Sequence, residues 1–396
     1  MPQPHTSSPI PATLSELRAA PPAEHGRLGC ADTLREILQQ PRTWRATDAL
    51  IGGDAAGDVL ALEPRPAHIV LTGSGSSLYV GECLAPALQA ALGVPCRAMA
   101  AGTLLAQRDS VLPPGGDGLL VSIARSGNSP ESVGVVDAML AHAPGWRHLA
   151  VTCNAEGKLA TRYRDEPRVR TLLLDPDTND RSLVMTSSFT NLVHAVSGLM
   201  PGSAGTGTAA ADVAATLIDS HGDALARWGA RQDMQAVLCL GDGAQQGAAR
   251  EVALKLLEMS AGAVRVMCET SLGLRHGPMA WLNRPSHLLV FLSGDAGMRA
   301  YQVDLLQELT RKRLGPARIV IGESPAPELV GEEGLGIDLP GLYALPAAQQ
   351  AMVQVVAGQL LALFRCLSLG QKPDAPSEGV LTRVVEAFTL HGGTSA

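Results

Sequence analysis

Ala67-His-Ile-Val-Leu-Thr72, followed at once by Gly73-Ser-Gly-Ser-Ser77, is the stretch on which the fold turns. A short run rich in branched aliphatic residues reads as a strand, and the small residues after it as a loop. A helix is expected from residue 78 to about 92, completing a strand–loop–helix unit. Backbone N–H groups gather at such a helix start and can hold an anion. The same pattern also serves as a plain tight turn.

Working outward, residues 94–99 read as a short strand. Gly118-Leu-Leu-Val-Ser-Ile-Ala124 is a stronger one, ending in Arg125-Ser-Gly-Asn-Ser-Pro-Glu131. Ser126 and Ser129 put hydroxyls at that strand's carboxyl end, and Pro130 suits a first helical position. Two loops of this kind meeting at one edge of a parallel sheet make a phosphate site at a switch point. Strands over 147–152 and 169–174 continue the sheet, with a helix over 154–161 between them. Thr186-Ser-Ser-Phe-Thr190 carries a helix-start signal, opens a helix to about 200, and brings Ser187 and Ser188 towards the same loops.

After a Gly/Ser/Thr linker at 201–208 and a helix at 210–228, the pattern restarts. Ala236-Val-Leu-Cys-Leu240 is a strand and Gly241-Asp-Gly243 its loop, which points to an internal repeat. Here Asp242 and Gln245 replace serines, and Asp242 would repel a phosphate. Phosphate binding therefore falls to the first half. Strands at 264–268, 286–292 and 317–321, with helices at 297–312 and 347–369, complete the second.

The helix opening that second half contains Arg250-Glu-Val-Ala-Leu-Lys-Leu-Leu-Glu-Met259. At about 100° per residue, Glu251, Lys255 and Glu258 share an arc of roughly 60°. The rest of the wheel is apolar, so the helix is expected to be buried with its charged strip facing a cleft. An exposed ion pair is the bland alternative. Further on, Glu269-Thr-Ser-Leu-Gly-Leu-Arg-His276-Gly-Pro278 holds a histidine on a turn that Pro278 keeps out of helix. Histidine is the side chain suited to proton transfer near neutral pH. Proton chemistry thus falls to the second half.

Composition narrows the classes. The chain has 396 residues, 46% hydrophobic and 17% charged, enough for two ordinary cores. A net charge of -7 and 3% aromatics argue against a nucleic-acid surface, and Arg311-Lys-Arg313 is too short a basic run to change that. Seven scattered cysteines form no CxxC or His/Cys ligand spacing. A reduced, cytoplasmic compartment and no metal are expected. No unbroken apolar run reaches the ~18 residues of a membrane span, so no membrane partner is expected. The first 24 residues read as a loose arm. Short helices are expected over 33–40 and 44–51, and an apolar run at 380–390 in the tail is expected to dock on a domain.

Four motifs stand in order: Gly-Ser-Gly-Ser-Ser77, Arg-Ser-Gly-Asn-Ser129, Glu-x-x-x-Lys-x-x-Glu258 and Arg-His-Gly-Pro278. Together they resemble sugar isomerase (SIS) domains, two in tandem. Arg125 to Ser132, Gly273 to Pro278 and the tail Val380 to Val385 resemble the AgaS-type galactosamine-6-phosphate deaminases/isomerases in particular. The resemblance implies an α/β chain of two flavodoxin-like αβα sandwiches with parallel sheets. Its expected divisions are an arm (1–47), a first SIS domain (48–205), a second (206–370) and a tail (371–396).

It further implies that Ser76, Ser77, Ser126 and Ser129 hold a 6-phosphate, with Arg125 adding charge. Ser187 or Ser188 would line the sugar site. Glu258 would move the proton between C1 and C2, Glu251 and Lys255 would tune it, and His276 would open the ring from a second subunit. A homodimer or higher homo-oligomer with shared active sites follows, needing no cofactor. Ala124 and Arg125 depart from the Ser and Gln of the related synthase loop. No tail lysine aligns with that synthase's Schiff-base lysine, Glu386 and Ala387 falling nearby, and no glutaminase part is present. Release of ammonia is therefore expected rather than its use, with plain aldose/ketose isomerisation as the alternative. A dinucleotide-binding dehydrogenase lacks its third glycine, Leu78 and Gln246 standing there. A non-catalytic sugar-phosphate sensor would be expected to lack Glu258 or His276.

Overall fold

A computed structural model describes residues 10–113, 117–283, 286–384 and 388–391. Two five-stranded parallel sheets organise it. The first holds β1 (His68–Gly73), β2 (Cys96–Ala100), β3 (Gly118–Ala124), β4 (Trp146–Thr152) and β5 (Val169–Leu173), in the order β2-β1-β3-β4-β5. The second holds β6 (Ala236–Leu240), β7 (Arg265–Glu269), β8 (His287–Phe291), β9 (Ala317–Gly322) and β10 (Leu335–Asp338), in the order β10-β9-β8-β6-β7. Counted from each sheet's own first strand, the two orders are the same. Both are the flavodoxin-like doubly wound arrangement, whose switch point lies between the first and third strands.

Strand alternation sorts side chains into layers. Ile69 and Leu71 of β1, with Val237 and Cys239 of β6, enter one hydrophobic cluster that runs through both halves. Val70 and Leu120 face outward onto Leu104, Val135 and Met139. Leu238 and Leu288 do the same onto Leu305, Leu306 and Leu309. The shared centre is filled by three helices, Ser76–Leu92, Ala244–Met259 and Ala347–Ser368.

Glycines let these helices approach closely. A Cβ at Gly247 would lie 2.6 Å from Cys83 Sγ and 2.8 Å from its backbone nitrogen, and one at Gly358 would overlap Val252. Ala347–Ser368 is, among the described residues, long and apolar enough to cross a membrane by length and composition. It is instead the core helix, 94% of its most apolar window being buried. Two of its buried glutamines bind neighbouring segments: Gln354 Nε2 donates to the Leu292 and Ile321 carbonyls, and Gln359 accepts from Gln40 at 2.7 Å.

Several expectations change. The arm is not loose over its described part. Helices Leu14–Ala19 and Pro22–Leu28 form, Leu14 and Leu17 are buried, and Asp223 accepts from Ser15 at 2.8 Å. Residues 1–9 lie outside the described residues. The helix expected at 154–161 is confined to Lys158–Thr161. The one expected at 210–228 is interrupted by a π turn at Leu217–His221. β10 and the helix Ala101–Val111 were not anticipated. All seven cysteines are free.

Candidate active site

Each sheet's switch point is framed by the loops after its first and third strands. In the first sheet these are the 74–76 turn and the 125–129 loop. Gly75 takes φ 55° and ψ -127°, a conformation side chains strongly disfavour, and helix Ser76–Leu92 starts directly after it. The Ser77 and Leu78 N–H groups donate back to the Ser74 and Gly75 carbonyls at 3.2 and 3.0 Å, which closes the turn and leaves the side chains of these serines on the cavity wall. The result is a cavity of about 220 Å³ lined by Ser76, Ser77, Arg125, Ser126 and Ser129, among others. Pockets for drug-sized ligands run to roughly 300–1,000 Å³. This one suits a small polar molecule. Behind it, Asn154 Nδ2 donates to the Ser126 carbonyl at 2.9 Å and fixes the second loop.

The second half contributes one wall. Helix Ala244–Met259, drawn against Ser76–Leu92 through Gly247, brings Leu254, Lys255 and Glu258 to the cavity. Lys255 is 1% exposed and sits between two carboxylates. Its Nζ donates to Glu258 Oε2 at 2.6 Å and to Ser76 Oγ at 3.2 Å, and stands 3.4 Å from Glu251 Oε1. The last contact is a buried ion pair between positions four apart on one helix. Burial pushes the Glu251 carboxyl up to about 7, with Lys255 pulling it down and Glu258 adding to the rise. Burial also opposes the Lys255 charge, but the two carboxylates outweigh it and hold the ammonium above its ordinary value. Glu258, with a side chain 20% exposed, is the member of the trio open to the cavity.

The charged strip expected from the helical wheel is present, with Lys255 and Glu258 on the cavity wall and Glu251 fully buried behind them. One part of that reading fails: Leu257, on the arc expected to be buried, is 43% exposed.

Other candidates stand elsewhere. Ser187 and Ser188 are fully buried and absent from the cavity wall, because Asp180 claims them. Its carboxylate accepts from both hydroxyls, that of Ser188 at 2.6 Å, and from the backbone N–H of Thr186 and of Ser188. They hold a helix start, and the expectation that they line the sugar site is corrected. Arg125 does line the cavity, but its guanidinium grips main-chain carbonyls of Ser182, Leu183 and Arg383, each at 3.0 Å. His276 is exposed on the turn after Ser271–Leu274 and does not line its own chain's cavity. Among the described residues, no group of three or more His, Cys, Asp or Glu side chains is placed to hold a metal ion.

The sequence reading expects the tail to dock on a domain but does not place it at this cavity. Leu381, Thr382 and Arg383 close one side of the cavity, and Ser377 Oγ reaches the Glu258 carbonyl at 3.4 Å. Glu386 and Ala387 lie outside the described residues. It also missed Glu36, which is 1% exposed and receives the N–H groups of Arg181 and Ser182 and the Ser182 hydroxyl. Burial and nearby Asp180 push its carboxyl up to about 7 against those hydrogen bonds.

No protein-family model matches the chain. A Streptomyces coelicolor protein named as a putative D-galactosamine-6-phosphate deaminase AgaS is 38% identical over 373 residues, spanning 91% of this chain and 95% of the relative. The Escherichia coli K12 protein of the same name is 32% identical over 369 residues, with the same coverage. The chain belongs to the AgaS family. Among solved structures, the Escherichia coli tagatose-6-phosphate ketose/aldose isomerase superposes with a TM-score of 0.83 at 30% identity, covering 92% of this chain and 97% of that one.

The tandem SIS architecture is thereby shown, and this AgaS-family chain is a sugar-phosphate isomerase/deaminase. The cavity fits that chemistry. Serine hydroxyls can receive a phosphate at one end, and the Glu251–Lys255–Glu258 trio can hold and move a proton at the other.

Proposed function

We propose that the enzyme converts a 2-amino-2-deoxyhexose 6-phosphate, with galactosamine 6-phosphate preferred, into the ketose 6-phosphate and ammonia. The observation that carries the proposal is a carboxylate, Glu258, held by a buried lysine at the cavity whose other wall is a set of serines. In this scheme Ser76, Ser77, Ser126 and Ser129 take the phosphate, with the Arg125 charge behind them. Once the ring opens, Glu258 removes the C2 proton and delivers it to C1. One N–H proton passes to O1 in the same conversion, so the amine-bearing C2 becomes an imine and C1 an alcohol. Water adds to the imine, the C–N bond breaks, and ketose and ammonia leave. Lys255 orients Glu258 through the 2.6 Å contact.

His276 serves ring opening from a neighbouring subunit, a role supported by its exposure outside its own cavity. Mixing inactive Glu258→Gln with inactive His276→Ala chains should then restore activity after subunit exchange, and proven hybrids without recovery would return both residues to one chain's site.

The relatives' names support deamination, whereas the solved neighbour's name favours plain aldose/ketose isomerisation. Supplying galactosamine, glucosamine and N-acetylgalactosamine 6-phosphates, while following ammonia and ketose together, separates the two. Stoichiometric ammonia and tagatose 6-phosphate from the first is the expected result. Aldose–ketose interconversion with no ammonia from either amino sugar selects the isomerase.

A further inference from the structure

Arg125 is the least ordinary charge in the cavity wall. It is 6% exposed, and its hydrogen bonds go to three main-chain carbonyls on two segments distant in sequence. Among the described residues no carboxylate is hydrogen-bonded to it, the Asp180 and Glu36 carboxylates attract it only from farther off, and its Nε is buried without a partner. Arg383 answers from the tail. Its Nε donates to the Asp180 carbonyl at 3.0 Å and its Nη2 to Asn179 Oδ1 at 2.7 Å, while its own carbonyl receives Arg125 Nη2. The 125–129 loop, the 179–183 segment and the tail thus close a ring of contacts around one buried cation.

A guanidinium enclosed with no carboxylate directly paired to it is costly to keep, and water reaching it would relieve the cost. The tail is one of the segments that enclose it. Opening the tail should therefore be easiest when the cavity holds no anion. A phosphate beside Ser126 and Ser129 would supply the missing charge and favour the enclosed arrangement. By linkage, docking of the tail would strengthen phosphate binding by the same factor.

We infer that Arg125 is a positioning residue that holds Leu381–Arg383 as a wall of the substrate cavity, with the bound phosphate acting as its counter-charge and tightening the tail. The inference rests on a phosphorylated ligand in this cavity but not on which sugar carries the phosphate.

Inorganic phosphate is therefore the probe, on the full chain, with amide hydrogen exchange at 381–383 as the readout. In the wild type, saturating phosphate should slow exchange there by about tenfold. Arg125→Lys keeps the charge but not the planar fork that spans three carbonyls. It should lose the phosphate-dependent slowing and, by the same linkage, bind phosphate about tenfold more weakly while still binding it. Arg125→Gln should lose both the slowing and the binding. Arg383→Ala removes only an exposed side chain, so it tests the anchor even if the Arg125 variants fail to fold, and exchange at 381–383 should rise without ligand.

Three results overturn the inference: phosphate binding to the wild type with no slowing, slowing that persists in folded Arg125→Lys, or unchanged exchange in Arg383→Ala. Wild type that does not bind phosphate at all removes the counter-charge role. Failure of the deamination assay with an intact phosphate response would leave the coupling standing and change only the substrate.

Discussion

The first and second switch points share a backbone and differ in what fills them. Gly75 and Gly243 take nearly the same conformation, φ 55° and ψ -127° against φ 60° and ψ -128°, each just before a central helix. In the first sheet the space beyond is bounded by serines and remains a cavity. In the second it is occupied by the chain itself. Asp242 accepts from the Ser271 N–H and hydroxyl and from Gln302 Nε2 at 2.9 Å. Gln302 caps the Ser293 N–H at 2.8 Å, and Gln350 caps that of Gly294 at 2.8 Å. Arg299 covers the Ser293 and Gly294 carbonyls and lies over the Tyr343 ring at 4.6 Å. Donors that could cradle an anion are already used. The repeated fold thus supplies two places for a ligand, and side-chain identity alone leaves one of them open. The second half is still not inert, since its first helix delivers Lys255 and Glu258 to the cavity of the first.

The largest break in this division of labour is expected at Glu258. Glu258→Gln keeps the size of the side chain and a hydrogen bond to Lys255 but cannot carry a proton. General base catalysis contributes roughly 10²–10⁴-fold, so kcat should fall by that factor while KM changes little. Activity within about threefold of wild type would remove Glu258 from the proton-transfer role and leave the second half with a structural part only.

A smaller effect, on the order of a few kcal/mol, concerns the pH dependence of stability. Glu251 has an ordinary value of 4.5 and is pushed up to about 7 in the fold. The native state then binds more protons than the unfolded state between those values. Its contribution to stability is fully present below about 4.5 and is lost as pH rises through about 7. Buried His148, brought down to about 4, acts with the opposite sign as pH falls below 6.5. Glu36 acts in the same direction as Glu251. Comparing wild type with Glu251→Gln cancels these shared contributions. Denaturant titrations across pH 5–8 should show the variant gaining stability relative to wild type as pH rises, whereas parallel curves would place Glu251 at its ordinary value.

What the sequence made legible follows from the range of the interactions. Strand–loop–helix units are local, so both sheets, the two loops and their serines could be read from spacing. The Glu251–Lys255–Glu258 strip is set by helical geometry and was equally visible. Asp242 is expected from its charge to be a poor phosphate neighbour, and in the fold its carboxylate is engaged by Ser271 and Gln302. Ser187 and Ser188 misled, because the carboxylate that claims them, Asp180, acts through a tertiary fold-back that no periodicity reveals. Arg125 was recognised as a charge, but its grip on carbonyls of Ser182, Leu183 and Arg383 depends on segments 57, 58 and 258 positions away. Arg383 itself lay within a quoted motif and carried no local signal of its place. The arm was read as loose from its Pro, Ser and Ala content, yet Leu14 and Leu17 sit at helical spacing and find a core built mostly by later residues.

The smallest effect tests the comparison most directly, through one substitution at each switch point. Ser126→Ala in the first removes a hydroxyl from the cavity. A hydrogen bond to a charged group is worth about 1.5–3 kcal/mol, so affinity for a phosphorylated substrate should weaken about tenfold or somewhat more, in KM rather than kcat. Stability should hardly move, since the Ser126 hydroxyl has only a 3.3 Å contact with the Asn128 N–H inside the protein. Asp242→Asn in the second should do the reverse. The amide keeps the shape but can accept through only one of its two heads, so the contacts from Ser271 and Gln302 cannot all survive. About 1–3 kcal/mol of stability should be lost, read from denaturant midpoints at unchanged slope. KM should stay within about twofold of wild type, because the second switch point holds no part of the substrate in this reading. A tenfold rise in KM from Asp242→Asn in a fully folded protein would mean that the second switch point communicates with the first. A Ser126→Ala enzyme that handles phosphorylated and unphosphorylated sugars with equal loss would deny the first its phosphate.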